Sequence, residues 1–496
     1  MRKSLVILSV PVDNISMQEA LERLEEFVMI GRATGKTHQI ATINADFVVN
    51  ALHDPELRRI LQAADMATAD GMPLVLGARL LGVHLEGRVT GADMVPALAE
   101  RAAHKGFSIY LLGAMPGVAD RAAQVLRQRY PGLHIAGIAS PPLSSIFEMD
   151  PSIVEELNAV KPDILLVAFG NPKQEKWINM HAHELSVPVC IGVGGTFDLI
   201  AGVTKRAPQW MQRLGLEWLF RLLQEPRRLW KRYVLDIGYF GFFFVRQWWK
   251  MQIMQPRSAL QDEPNVIVND SAALFQVRGR LDTSNLADFT AQAEKALETS
   301  AFLVVDLSEA TFLDSSALGA LVTLTNRARA MGGTLTLAAV PPRIMQTLSL
   351  VRLDKFFEVH DDAEYALTTP QKPQHIFDQS VEDDTGWRVI KMPRSLEAST
   401  VPLMLETCTS HLSHGTQLVL DFSETQFLSS AGLMAMTKLD RQLKDLGGAL
   451  RIAGCSKELM YSIQLANLDK IVSIYHDVQA AIYEDVETIE MHRVLS

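Results

Sequence analysis

The sequence predicts an α/β protein: a mostly parallel β-sheet clad in helices, a basic helical appendage, and two smaller α/β units towards the C-terminus. Three observations predict it. Through roughly the first 200 residues, short apolar runs alternate with amphipathic helical patterns, as expected for a parallel sheet buried on both faces. A stretch dense in arginine and aromatic residues follows. The remainder of the chain then repeats itself once.

Taken in order, Leu5–Val10 reads as a buried first strand. A strand is expected here rather than a signal segment, because Asp13 and Asn14 follow and a small-residue cleavage site does not. Ser16, Met17, Gln18 and Glu19 have capping-box spacing and open a helix with Ala20, Leu21, Leu24 and Phe27 or Val28 on one face. Ile40–Ile43 is a strand, with a helix from about Ala45. Ser108–Leu112 precedes a glycine turn and a helix from Val118 to about Arg129. Ile164–Phe169 and Val189–Val193 are strands.

The bulk properties bound the function. A chain of 496 residues holds about three domains, expected here at 1–255, 265–368 and 385–490. A composition of 48% hydrophobic and 21% charged residues is that of a folded protein. The net charge of −10 argues against a nucleic-acid partner. Cys190, Cys408 and Cys455 lie far apart, which disfavours a disulfide framework or thiolate zinc site and fits a reducing compartment. No run reaches the roughly 18–20 apolar residues of a membrane span, so any membrane contact is expected from the surface.

The appendage, about 204–255, sets ten basic residues against Glu217, Glu225 and Asp236. Among them stand Phe242-Phe243-Phe244 and Trp248-Trp249, which suit a membrane-surface element or, alternatively, burial against the core. In the repeat, Asp306-Leu307-Ser308-Glu309 recurs as Asp421-Phe422-Ser423-Glu424, and Gly332-Gly333 as Gly447-Gly448, at a constant offset of 115 residues. That length means duplicated domains, because solenoid repeats are shorter.

Candidate chemistry gathers at strand ends, where ligands bind in parallel α/β sheets. Thr42-Ile43-Asn44 and Ala69-Asp70-Gly71-Met72-Pro73 form one cluster. Alone, Asp70 is equally a turn residue or helix cap. Gly170-Asn171-Pro172-Lys173-Gln174-Glu175 forms a second, and Gly192-Val193-Gly194-Gly195-Thr196-Phe197-Asp198 a third. Glycines in the third would let backbone amides and a helix N-terminus approach phosphate.

Together, the order TxN, ADGxP, GxPKQExW, VGGTFDxxAG and RAPxWxxxxGLEWxxRLxxEPxRLxKRY resembles the WecG/TagA/CpsF glycosyltransferase family, over residues 1 to about 245. The resemblance implies a Rossmann-like domain that transfers an N-acetylmannosamine-type sugar from a UDP donor to a polyprenyl-diphosphate-linked sugar. It implies inversion, with neither cofactor nor DxD-held metal. The site it implies has Asp70 as general base, with Thr42 and Asn44 beside it. Substrate contacts would come from Gln174, Glu175, Gly194, Gly195, Thr196 and Asp198, and from Arg88 and Asp93, although Ala92 departs from the family pattern. Arg221, Arg227, Arg228 and Arg232 would meet the diphosphates, for which the guanidinium fork is apt. Such an enzyme would work in the cytoplasm, against the inner face of a bacterial plasma membrane.

Phe312-Leu313-Asp314-Ser315-Ser316-Ala317-Leu318-Gly319 resembles the motif of STAS (anti-sigma-factor-antagonist-like) domains, and Phe427-Leu428-Ser429-Ser430-Ala431-Gly432-Leu433 a variant of it. The resemblance implies regulatory or docking modules whose serines, Ser315 and Ser430, a partner kinase phosphorylates. Alternatively, these serines are only helix caps. A homo-oligomer is compatible with the sequence. A different class of function also stays open: a catalytically silent scaffold, or a signalling protein of the anti-sigma-antagonist type.

Overall fold

The computed structural model describes residues 2–142, 146–147, 149–213, 216–224, 226–254, 265–268, 273–368, 381–382, 386–410 and 412–483. It divides into two compact units. The first comprises residues 1–143, 150–178 and 185–372, and the second 144–149, 179–184 and 373–496.

The first unit opens on a buried antiparallel hairpin, β1 (Ser4–Ile7) and β2 (Val10–Asp13). The expected single strand Leu5–Val10 is therefore broken in two. Leu8 and Ser9, at φ 47° and 85°, make the tight turn that breaks it. Helix α1 (Met17–Thr34) begins with the anticipated capping box between Ser16 and Glu19. Then follow β3 (His38–Ile43), α2 (Ala45–His53), α3 (Pro55–Ala63), β4 (Met66–Ala69), α4 (Met72–Leu80) and α5 (Gly91–Lys105). Next come β5 (Ser108–Gly113), α6 (Val118–Arg129), β6 (His134–Ala139), α7 (Ser152–Val160), β7 (Ile164–Ala168), α8 (Lys173–His181) and β8 (Val189–Gly192).

Six of these strands form one parallel sheet in the order β4-β3-β8-β7-β5-β6. Its two faces feed two apolar cores. The register decides where the chemistry falls. Ile43 pairs with Ala69, so Asn44 and Asp70 leave the same carboxyl edge side by side. Ala41 pairs with Gly192, which brings Thr42 to the loop after β8. After α9 (Thr196–Ile200), the appendage consists of α10 (Gln209–Arg213), α11 (Glu217–Gln224) and the long α12 (Pro226–Met254). Among the described residues, no helix is long and apolar enough to cross a membrane.

The first unit also holds the first repeat. A mostly parallel sheet runs in the order β15-β14-β12-β10-β9, using β9 (Asn265–Val268), β10 (Ala273–Gln276), β12 (Phe302–Asp306), β14 (Thr334–Ala338) and β15 (Glu358–His360). A small parallel pair, β11 (Gly279–Leu281) and β13 (Ala310–Leu313), lies apart from it. The helices are α13 (Leu286–Leu297), α14 (Ser315–Ala330), α15 (Pro342–Leu350) and α16 (Ala363–Thr368). The second unit repeats this plan on strands Trp387–Lys391, Gln417–Asp421, Ala449–Ala453 and Ser473–Tyr475, with helix Ser430–Asp445 matching α14.

The repeat also explains its own sequence variation. Asp314 caps α14, its Oδ1 accepting from the Ala317 N–H at 2.7 Å, and Ser429 caps the matching helix through Gly432 N–H at 3.2 Å. Aspartate and serine are both strong N-caps, so the exchange keeps the turn. Ser315 and Ser430 are thus first helical residues rather than caps, and both are buried.

Candidate active site

Asp70 lies between β4 and α4. Its chain is turned by Gly71, whose φ of 143° suits glycine. The half-buried carboxylate accepts from the Gly91 N–H at 3.2 Å. Burial pushes its pKa up to about 6, against the Gly91 bond and the Arg88 guanidinium; Glu217 adds to the rise and Arg221 opposes it.

The neighbouring groups fill set positions. The Thr42 hydroxyl donates to Gly192 O at 3.0 Å, tying β3 to the glycine loop. Asn44 caps α2 through Phe47 N–H at 3.2 Å. A methyl group at Gly91 would lie 3.3 Å from the Thr196 Oγ1 and 3.6 Å from the Thr42 Oγ1, so these residues surround one point. A methyl group at Gly195 would lie 2.8 Å from Arg221 Nη2 and 3.8 Å from Asp198 Oδ2. The structure therefore brings Thr42, Asn44, Asp70, Thr196, Gly195, Asp198 and Arg221 to the same sheet edge.

Other expected contacts are committed elsewhere. Gln174 is buried, its Oε1 accepting from the N–H groups of Gly170 (3.1 Å) and Gly194 (3.0 Å). Its amide donates to Glu175 Oε1 at 2.7 Å. Glu175 is also buried, accepting from Asn171 Nδ2 at 3.2 Å. Burial pushes the Glu175 carboxyl up to about 7 against these bonds. Both residues brace the two loops from behind. The helix after the Gly194 loop, α9, has only five residues, so its dipole is weaker than the motif suggested.

Arg88 and Asp93 are drawn into an ionic network. Arg88 donates to Glu217 at 2.8 Å, while Arg206 grips Asp93 with two bonds of 2.6 and 2.7 Å and reaches Glu217 at 3.3 Å. Despite burial, Arg206 and Thr90 hold the Asp93 carboxyl below its ordinary range. The sequence reading missed Arg206 and Glu217 as site residues. A signal existed, since Glu217 is one of few acids in a basic stretch. Arg227 is exposed on α12, and the side chains of Arg228 and Arg232 lie outside the described residues. Among the described residues, no three His, Cys, Asp or Glu side chains gather as metal ligands.

On α12 the aromatic run divides by helical period. Phe240 and Phe244 are buried, Phe244 against Gly77 of α4, and Phe243 and Trp248 pack partly on the same core. Phe242 is 66% exposed and Trp249 59%. The run is thus part core and part exposed surface.

A parallel sheet with an acid, a glycine loop and a guanidinium on its carboxyl edge has the layout of an α/β ligand-binding crevice. The chain belongs to the Glycosyl transferase WecG/TagA/CpsF family, whose profile matches residues 5–253. The STAS domain profile matches residues 263–366 and 379–481. The chain is similar to the N-acetylglucosaminyldiphosphoundecaprenol N-acetyl-beta-D-mannosaminyltransferase of Bacillus subtilis (strain 168), 33% identical over 227 residues that cover 46% of this chain and 85% of that one. The enzyme of the same name from Bacillus spizizenii is 32% identical over 193 residues, covering 39% and 73%. Among solved structures, an anti-sigma factor antagonist from Mycobacterium paratuberculosis matches with 24% identity and a TM-score of 0.21, covering 23% of this chain and 98% of that one.

Proposed function

We propose that the chain transfers an N-acetylmannosamine-type sugar, with inversion and without a metal, from a UDP donor to a polyprenyl-diphosphate-linked sugar. The observation that carries this reading is Asp70, half-buried with its pKa near 6, beside Gly91, Arg88 and Arg221 at the sheet edge. The names of the relatives in the two Bacillus species support the acceptor class.

In this reading the acceptor hydroxyl oxygen attacks the anomeric carbon of the donor. Its proton passes to Asp70 as the new C–O bond forms. The bond from that carbon to the UDP oxygen breaks, and the electron pair leaves with UDP. Arg221, reaching over Gly195, offsets the developing diphosphate charge. Arg227, Arg228 and Arg232 are assigned the rest of that task. Thr42 and Asn44 hold the acceptor beside Asp70, and Thr196 and Asp198 hold the donor.

The exposed Phe242, Val245, Trp249 and Ile253 of α12, with Arg246 beside them, dock on the inner face of the plasma membrane, where the lipid acceptor lies. The STAS domains act as regulatory or docking modules, with Ser315 and Ser430 as the modifiable positions. The test is incubation with UDP-N-acetylmannosamine and a polyprenyl-diphosphate-linked N-acetylglucosamine. Formation of the disaccharide lipid is expected. Its absence, with no UDP released from any UDP-sugar, would favour the silent scaffold.

A further inference from the structure

Within the first unit, α14 of the first STAS domain lies directly on the transferase hairpin. A methyl group at Gly319 would sit 2.3 Å from Ser4 O, so only glycine permits this approach. Thr323 Oγ1 is 3.3 Å from Ser4 Oγ, and Asn326 donates to Gln62 O at 2.6 Å. Arg352 donates to Leu52 O, at the C-terminal end of α2. Strand β1 is shared between two cores. Leu5 and Ile7 belong to the transferase core, whereas Val6 belongs to that of the STAS domain. Both faces of one strand are thereby buried, one by each domain.

Helix α12 closes the third side. Buried Gln247 donates to Val6 O at 3.2 Å and accepts from Leu8 N–H at 3.0 Å. Met251, one turn on, receives the Ser315 hydroxyl at its sulfur, 3.6 Å away. The repeat carries the same message in sequence. At the offset of 115, Gly319, Thr323 and Asn326 correspond to Met434, Lys438 and Arg441. The small, neutral face occurs in the copy that meets β1.

We propose that the first STAS domain is a built-in clamp whose partner is this chain's own transferase, and that negative charge at Ser315 opens it. The clamp grips β1, α12 and the far end of α2, the helix that Asn44 caps at the candidate site. Closing it holds α2, and with it Asn44 at that site. A charged group at Ser315 would be desolvated against a thioether and packed strand, a cost that lifting α14 relieves. The turnover readout rests on the proposed activity; the hydrogen-exchange readout stands without it.

The test uses the full chain with Ser315→Glu, Ser315→Ala and Gly319→Met, the last importing the second copy's residue. S315E and G319M are expected to speed amide exchange in Ser4–Ile7 at least tenfold and to lower turnover about tenfold. S315A is expected to match the wild type. Strands β12 and β14 should stay protected, which separates opening from unfolding of the domain. Oxidising an added S4C/T323C pair is expected to restore slow exchange and turnover to S315E. Wild-type exchange at Ser4–Ile7 in both S315E and G319M would overturn the clamp, as would failure of the oxidised pair to restore protection. Accelerated exchange with no turnover in any form, wild type included, would keep the clamp and remove the activity.

Discussion

At the residue scale, two acids, half-buried Asp70 and buried Glu175, are both raised but serve differently. Asp70 is raised to about 6 at the sheet edge, and Glu175 to about 7 behind it. A base is effective when its pKa lies just below the working pH. Glu217 contributes to the rise at Asp70, so Glu217→Gln is expected to move the acid limb of the pH–rate profile below about 6; an unshifted limb would detach Glu217 from the base. For Glu175 the sign runs the other way from a salt-bridged acid. Its folded pKa lies above its unfolded value, so its stabilisation is complete below about 4.3 and is lost as pH rises through about 7. Glu175→Gln should flatten that part of the Tm-against-pH curve between pH 5 and 8. The motif spacing placed Asp70, Thr42 and Asn44 together, and the register does the same, because strand ends set successive residues on one edge. It did not separate Gln174 and Glu175 from ligand-facing residues, because buried bracing and ligand binding draw on the same polar side chains.

At the scale of elements, α12 shows how a helix sorts a uniform run. Phe242, Phe243 and Phe244 are adjacent in sequence, but about 100° apart around the axis, and so meet solvent, core edge and core in turn. The sequence could not say which side faced inward, because all three rings are equally apolar. Phe244→Ala is expected to cost about 3–5 kcal/mol in stability through the cavity it leaves against α4, with membrane binding intact. A Phe242→Ala/Trp249→Ala pair is expected to do the reverse: Tm unchanged, binding to anionic vesicles weakened several-fold in a sedimentation assay. Equal vesicle binding by that pair would remove α12 as the membrane contact. The first strand was misjudged for a related reason. Apolar composition made Leu5–Val10 look continuous, whereas the turn at Leu8 and Ser9 depends on backbone torsions that nothing in those side chains announces.

At the scale of the molecule, the duplication was plain in the sequence, and so was the order of transferase first and STAS domains after. The embrace of β1 by the first STAS domain was not, because contacts across some 300 residues leave no periodic trace. In hindsight the trace lies in the difference between the copies, Gly319 against Met434. The account of the whole chain as an enzyme nevertheless rests on one carboxylate. Asp70→Asn keeps an acceptor for the Gly91 N–H and removes a charge whose burial is costly, so it should fold as stably as the wild type at pH 7 or more so.

The most direct measurement is the pH dependence of UDP release, with a polyprenyl-diphosphate acceptor, for wild type and Asp70→Asn. The account predicts a wild-type rate that climbs through an apparent pKa of about 6 to a plateau, and a loss of about 10²–10⁴-fold with no such limb in the variant. Turnover by Asp70→Asn within a few-fold of wild type, with the acid limb in place, would contradict it.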